Sequence, residues 1–155
     1  MHRITLLCVG PIKTKWIAEG CAHFLGRIGH DAKMEVIEVP AGKQTDPLRQ
    51  QKEESDRLLE SVEKREGDLW VLDERGKAMT SPVFASSLGS ARDTGRTVIF
   101  VLGGAYGLTD AVRKRANRIL TLSDMTFPHE LCRLIFLEQL YRATEINKGS
   151  GYHHA

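Results

Sequence analysis

Three groups of residues in this chain could do chemistry. The first is a glycine cluster. The apolar run Thr97-Val98-Ile99-Phe100-Val101-Leu102 breaks straight into Gly103-Gly104-Ala105-Tyr106-Gly107-Leu108. A second apolar stretch, residues 118–122, opens onto Ser123-Asp124-Met125-Thr126-Phe127-Pro128. Ligands in open α/β folds sit where loops leave the carboxyl ends of strands. Glycine lets a ligand approach bare main chain where a Cβ would collide. The two loops therefore form the candidate ligand site. A lone glycine motif is weak, and Gly103-Gly104-x-x-Gly107 also reads as a tight turn needing a positive φ. Asp124 lies about twenty residues beyond Gly104, where a dinucleotide fold keeps its ribose acid. That spacing keeps a Rossmann-like nucleotide enzyme open, although only one short strand follows the motif.

The second group is the tail. Gly149-Ser150-Gly151 leads to Tyr152-His153-His154-Ala155. An aromatic beside polar side chains can stack on and hydrogen-bond an unpaired base. Adjacent histidines do not share a helix face, so a metal pair is not expected. His129 is either a solvent-facing first-turn residue or an acid–base group.

The third group is cationic. Arg113, Lys114, Arg115 and Arg118 cluster after the glycine loop, and Arg133 and Arg142 follow on the last helix. Each reads either as a solvated or paired surface charge or as a phosphate contact. Glu138, Arg142 and Glu145 have the spacing of a simple helix pair.

These groups need a scaffold. The chain has 155 residues and a net charge of +2, enough for one domain with a real core and too little charge for a tail-driven nucleic-acid binder. Cys8, Cys21 and Cys132 sit in apolar contexts without a CxxC and read as reduced thiols of a cytoplasmic protein, with no zinc site. No stretch has the length of a membrane span, and the N-terminus lacks a signal pattern.

Strands are expected at residues 4–9, 34–39, 69–72, 97–102 and 118–122. Helices are expected at about 15–27, 46–65, 81–95, 109–117 and 128–146. Asp46-Pro47 and Ser81-Pro82 are helix starts with a polar cap followed by proline. Asp73-Glu74-Arg75-Gly76 reads as a turn, and the mixed charges of 46–65 as a solvated face. Strand alternating with helix predicts an α/β fold with a mostly parallel sheet and helices on both sides. The last helix is apolar nearly all round, which points to a partner copy or an unusually thick local core.

Taken together, several short motifs carry a resemblance. They are Val9-Gly10, Pro40-Ala41-Gly42-Lys43, Leu72-Asp73 and Leu102-Gly103-Gly104-Ala105-Tyr106-Gly107-Leu108. After them come Leu122-Ser123-x-Met125-Thr126-Phe127-Pro128-His129, Glu138-Gln139-Leu140-Tyr141-Arg142-Ala143 and Tyr152-His153. In this order they resemble the ribosomal RNA large subunit methyltransferase H family, small SPOUT-class enzymes, over the whole of residues 1–155. The resemblance implies a single domain with a C-terminal α/β trefoil knot and a homodimer. It implies methyl transfer from S-adenosylmethionine to N3 of a pseudouridine in a 23S rRNA stem-loop. It implies a cofactor site at Leu72, Gly103, Leu122, Ser123, Asp124, Met125, Thr126 and Phe127. Tyr152, His153 and Arg142 are then expected to be catalytic. With so little net charge, assembled ribosomes are the expected substrate. A ribosome-associated RNA-binding module that kept the fold is the non-enzymatic alternative. Family members commonly end Tyr-His-Arg or Tyr-His-Lys, whereas here His154 follows His153, so the last cation would be present only on protonation.

Overall fold

A computed structural model of the chain describes residues 1–154. Ala155, the end of the tail motif, lies outside the described residues. Five strands alternate with five helices: β1 (His2–Val9), α1 (Lys15–Ile28), β2 (Ala32–Val39), α2 (Pro47–Glu63), β3 (Asp68–Ala78), α3 (Ser81–Asp93), β4 (Val98–Leu102), α4 (Asp110–Arg115), β5 (Arg118–Thr121) and α5 (His129–Lys148). All strand pairings are parallel, in the order β2-β1-β4-β3-β5.

The central strands are apolar on both faces, as strands covered on both sides must be. Ile4, Leu6, Trp70 and Phe100 pack with Ile17, Phe84, Phe136 and Leu140 of α1, α3 and α5 on one face. Leu7, Leu69, Val71 and Val101 pack with Leu58 and Val62 of α2 and Val112 of α4 on the other. The edge strand β2 is less covered, and its Val36 is exposed.

Three local readings change. The 73–76 stretch is not a terminating turn: β3 runs on to Ala78. It bulges between Leu72 and Lys77, then pairs again with Leu120 and Thr121 of β5. At the bulge, Gly76 lies so close to Leu120 that a Cβ would meet its carbonyl carbon at 2.4 Å. The charged helix α2 is not wholly solvated, because Glu54 and Ser55 are fully buried. The cap of α3 is Thr80 rather than Ser81, its hydroxyl accepting the Val83 N–H at 3.3 Å. The expected Asp46 cap does form, accepting the Arg49 N–H at 3.0 Å.

Helix α5 lies between α1 and α3 and buries Phe136, Leu137, Leu140, Tyr141 and Ala143. The local core thus accounts for much of its apolar circumference. Leu131, Leu134 and Ile135 stay half-exposed. The first turns of α5 are stapled to the end of β1. The Glu130 carboxylate accepts the N–H groups of Lys13 (2.9 Å) and Thr14 (3.2 Å), capping α1, whose own Thr14 makes no side-chain cap. Those bonds hold the Glu130 carboxyl below the usual range, the Lys13 N–H contributing most.

Arg133, a candidate phosphate contact, is buried instead. It donates to Glu38 at 2.5 Å and to the Val9 and Gly10 carbonyls at 3.0 and 2.8 Å. Burial raises the thiols of Cys8, to about 11, and of Cys21 and Cys132. Among the described residues no helix is long and apolar enough to cross a membrane.

Candidate active site

Parallel strands deliver their loops to one end of the sheet, and there the ends of β3, β4 and β5 frame an open cleft of about 770 Å³. Its floor is apolar: Leu72, Leu102 and Leu108 close off the strands. One wall is the glycine loop, residues 103–108. The Gly107 N–H donates to the Gly104 carbonyl at 3.1 Å, and Gly107 takes a φ of +75°, the left-handed region that favours glycine. A Cβ at Gly103 would come within 3.0 Å of the Gly107 carbonyl carbon, so the turn closes only over bare backbone.

The facing wall is the second loop, residues 122–128. Thr121 donates to the Ser123 carbonyl at 3.0 Å, and Ser123 Oγ accepts the Met125 N–H at 2.9 Å. The Ser123 hydroxyl is thus spent on shaping its own loop, a serine turn.

The β3 bulge supplies the third wall, with Asp73, Glu74 and Arg75. Arg113 braces it, donating to Asp73 at 3.1 Å, to the Leu108 carbonyl at 2.8 Å and to Asp110. Arg113 therefore joins β3, the glycine loop and α4. The Asp110 bond raises the Arg113 guanidinium, and the Arg113 bond lowers the Asp110 carboxyl.

Of the eight residues expected to hold the cofactor, Leu72, Gly103, Leu122, Ser123, Met125, Thr126 and Phe127 line this cleft. Asp124 is on the loop but exposed and outside the lining. His129 and Cys132 line it too, from the first turn of α5. From sequence, Arg113 reads as a surface charge or phosphate contact and Asp73-Glu74 as part of a turn, so neither is expected in this wall. The signal was there, since Leu72-Asp73 closes an apolar strand and Arg113 follows the glycine motif by one short turn.

Two others of the cluster are engaged away from the cleft: Arg115 pairs with Glu63 at 3.1 Å, and the Arg118 guanidinium stacks over Trp70 at 4.8 Å, while Lys114 is exposed.

The expected catalytic residues assemble elsewhere. None of Arg142, Tyr152 and His153 lines the cleft of its own chain. They meet on α5, around Glu138. Arg142 donates to Glu138 Oε2 at 2.8 Å and, through Nη1, to His153 Nδ1 at 3.1 Å. The Tyr152 hydroxyl donates to the same Glu138 oxygen at 2.9 Å. Its ring lies beneath the Arg142 guanidinium at 4.9 Å and edge-on to Tyr141 at 4.8 Å. Partial burial, then the bond to Glu138, raises the Tyr152 hydroxyl above its ordinary value.

The helix pair predicted from spacing is present, and it anchors the tail. Arginine has only donors, so His153 Nδ1 must accept, which places the imidazole proton on Nε2. As folded here, His153 offers a hydrogen-bond donor at its free edge. Among the described residues no cluster of His, Cys, Asp and Glu could hold a metal ion.

The site thus combines a parallel sheet, a glycine-bearing cleft at its carboxyl end and a polar tail packed on the last helix. The family model described as predicted SPOUT methyltransferase matches residues 2–153. Two relatives, each described as ribosomal RNA large subunit methyltransferase H, are 41% identical to the chain. That of Geobacter sp. strain M21 aligns over 98% of this chain and 99% of its own length. That of Solidesulfovibrio magneticus aligns over 99% and 100%. The chain belongs to the ribosomal RNA large subunit methyltransferase H family of SPOUT methyltransferases. Among solved structures, a probable methyltransferase from Bordetella pertussis superposes with a TM-score of 0.62 at 17% identity, covering 92% of this chain and 95% of that one. A probable methylase family protein from Haemophilus influenzae gives 0.59 at 11%, covering 99% and 70%. These two share the fold.

Proposed function

We propose that the chain transfers a methyl group from S-adenosylmethionine to N3 of a pseudouridine in a stem-loop of 23S rRNA, in the cytoplasm and on assembled ribosomes. The observation that carries this reading is the cleft: seven of the residues expected to hold the cofactor line one cavity, one wall of which is a loop carrying three glycines. An adenosyl group suits it, because apolar residues at the strand ends can take the purine faces while polar groups of the two loops take its edges. The family membership supports the reaction class, and with it the C-terminal knot.

S-adenosylmethionine, when bound, supplies a methyl group on a positively charged sulfur and needs no metal. The remaining work is alignment and charge. N3 of a uracil-type base must shed its proton to attack, and solvent takes that proton. A donor at the neighbouring carbonyl oxygens stabilises the resulting anion. His153 Nε2–H is such a donor, held in its tautomer by Arg142. Tyr152, its position fixed by Glu138, offers the ring face not covered by Arg142 to the target base.

Because the tail cluster packs on α5 and not in its own chain's cleft, the reading includes a homodimer. A second copy brings its Arg142, Tyr152 and His153 to this cleft.

Two measurements test the reading. Calorimetry should show S-adenosylmethionine binding to the purified protein, and crystals soaked with it should show it between the 103–108 and 122–128 loops. Mass spectrometry of 23S rRNA from cells lacking the protein should show one methyl group missing from one pseudouridine. Unchanged rRNA, or a ligand lodged elsewhere, would overturn it.

A further inference from the structure

The motif Pro40-Ala41-Gly42-Lys43 was singled out in the sequence, yet it does not line the cleft. Its place in the fold becomes clear from α2. Glu54 of that helix is 1% exposed. One of its oxygens, Oε2, accepts the Gly42 N–H at 2.9 Å and the Gln50 amide at 3.1 Å. The other, Oε1, is buried with no hydrogen-bond partner. It lies against the glycine loop, where a Cβ on Gly104 would meet it at 2.6 Å. Gly42 is equally tight, since a Cβ there would come within 2.8 Å of Gln50 Cγ.

The neighbours of Glu54 repeat the pattern. Gln51 donates to the Tyr106 carbonyl at 2.8 Å, and Ser55 Oγ accepts the Thr109 N–H at 3.1 Å. On the other side Arg57 donates to the carbonyls of Pro40 (2.8 Å) and Ala41 (3.2 Å). Two turns of α2 thus grip two loops at once, and Glu54 touches both.

We infer that Glu54 is a positioning residue that ties the 40–43 segment to the glycine loop and sets the shape of the cleft. It touches neither cofactor nor substrate; it acts through Gly104 and Gly42. The inference rests on the reading of the cleft as the S-adenosylmethionine site. Both glycines are required because α2 packs its polar side chains where their Cβ atoms would be.

Amide hydrogen exchange on the protein without ligand is the primary test. Glu54→Ala should speed exchange at residues 41–43 and 104–107 by about tenfold or more while β4 keeps parent rates. Glu54→Asp keeps the charge but withdraws the oxygens by one methylene. It should loosen the same two segments, and it serves if the alanine variant does not fold. Glu54→Gln keeps the shape and should stay within about threefold of the parent.

Calorimetry adds a second readout. Affinity for S-adenosylmethionine should fall about tenfold in Glu54→Ala, as expected for a misplaced site wall, with KM for RNA unchanged. Gly104→Ala should also weaken binding, and combining it with Glu54→Ala should recover part of that loss, because the carboxyl the new methyl strikes has gone. Parent-like exchange at both segments in folded Glu54→Ala and Glu54→Asp would overturn the inference, as would strictly additive losses in the double variant. A parent protein that binds no S-adenosylmethionine would defeat the functional reading, and ligand-free exchange would still decide this one.

Discussion

Two residues of the candidate chemistry separate rival mechanisms. Asp124 is the first. Its spacing from the glycine motif suggested a ribose acid, but it is exposed and outside the cleft lining. Asp124→Ala should therefore leave S-adenosylmethionine affinity within about threefold of the parent, since a lost hydrogen bond to a ribose hydroxyl would cost at least about tenfold. Isothermal calorimetry reads the difference, and a collapse of binding would restore the dinucleotide reading.

His154 is the second. It stands where the family resemblance implies a permanent cation, and it is exposed. Imidazoles change charge across the neutral range and guanidinium does not. The methylation rate should accordingly depend on pH near neutrality more steeply in the parent than in His154→Arg. Identical profiles for the two would remove His154 from RNA contact.

Elements decide how tightly the site is held. β3 shows this at Gly76, which rests on the main chain of β5. A Cβ there would meet the backbone of Leu120 at 2.4, 2.6 and 2.7 Å. Peptide atoms cannot rotate aside as a side chain can. Gly76→Ala should cost about 3 kcal/mol or more, at the upper end for overpacking, read as a lower urea midpoint with an unchanged slope.

The α5–α1 staple carries a pH signature. The Glu130 carboxyl is held low by the Lys13 and Thr14 N–H groups. A depressed carboxyl contributes stability that is complete above its unfolded value, about 4.3, and is lost as pH falls through the lower folded value. Glu130→Gln should therefore melt a few degrees below the parent at pH 7, and the gap should close progressively as the solution is acidified below that unfolded value. Curves that stay apart in acid would assign the difference to packing rather than charge.

What the sequence revealed at this scale followed from periodicity. The strands at 98–102 and 69–72 were legible because both faces are apolar, and the start of α2 because Asp46-Pro47 is a local signal. The continuation of β3 beyond Asp73 was not, because its pairing partner, Leu120, lies far along the chain and polar residues such as Glu74 and Arg75 look like a turn. Glu54 was invisible for a similar reason. Nothing in a charge-rich helix marks the one carboxyl that folding buries beneath a loop from another part of the chain. The two-loop cleft was readable from strand ends and glycines, whereas the tail was readable only as a composition. That it would pack around Glu138 follows from an arginine–glutamate pair whose partners in the tail only the three-dimensional arrangement selects.

At the scale of the whole molecule, the cleft and the tail cluster occupy different places on one chain. If catalysis needs both, two chains must meet. The surface for that is present: Trp16 on α1 is 62% exposed, and Leu131, Leu134 and Ile135 of α5 are half-exposed. Isolated apolar side chains are ordinary on a surface, but a tryptophan beside a helix with several such positions favours burial against a partner. Sedimentation velocity at micromolar concentration should show a dimer, and Trp16→Glu together with Leu131→Glu should give a folded monomer without methyl-transfer activity. A monomeric parent, or a fully active monomeric variant, would refute the assembly.

One wall of the cleft carries three glycines, Gly103, Gly104 and Gly107, and this bears on how the protein could resist a drug. Point mutations alter side chains but leave the polypeptide's own N–H and C=O groups in place. A competitive inhibitor that made its polar contacts to the 103–108 and 122–128 backbone would present few positions at which a single substitution could evict it. The substitutions that did distort those loops, at Gly103, Gly104 or Gly107, would damage the enzyme's own ligand grip along with the inhibitor's.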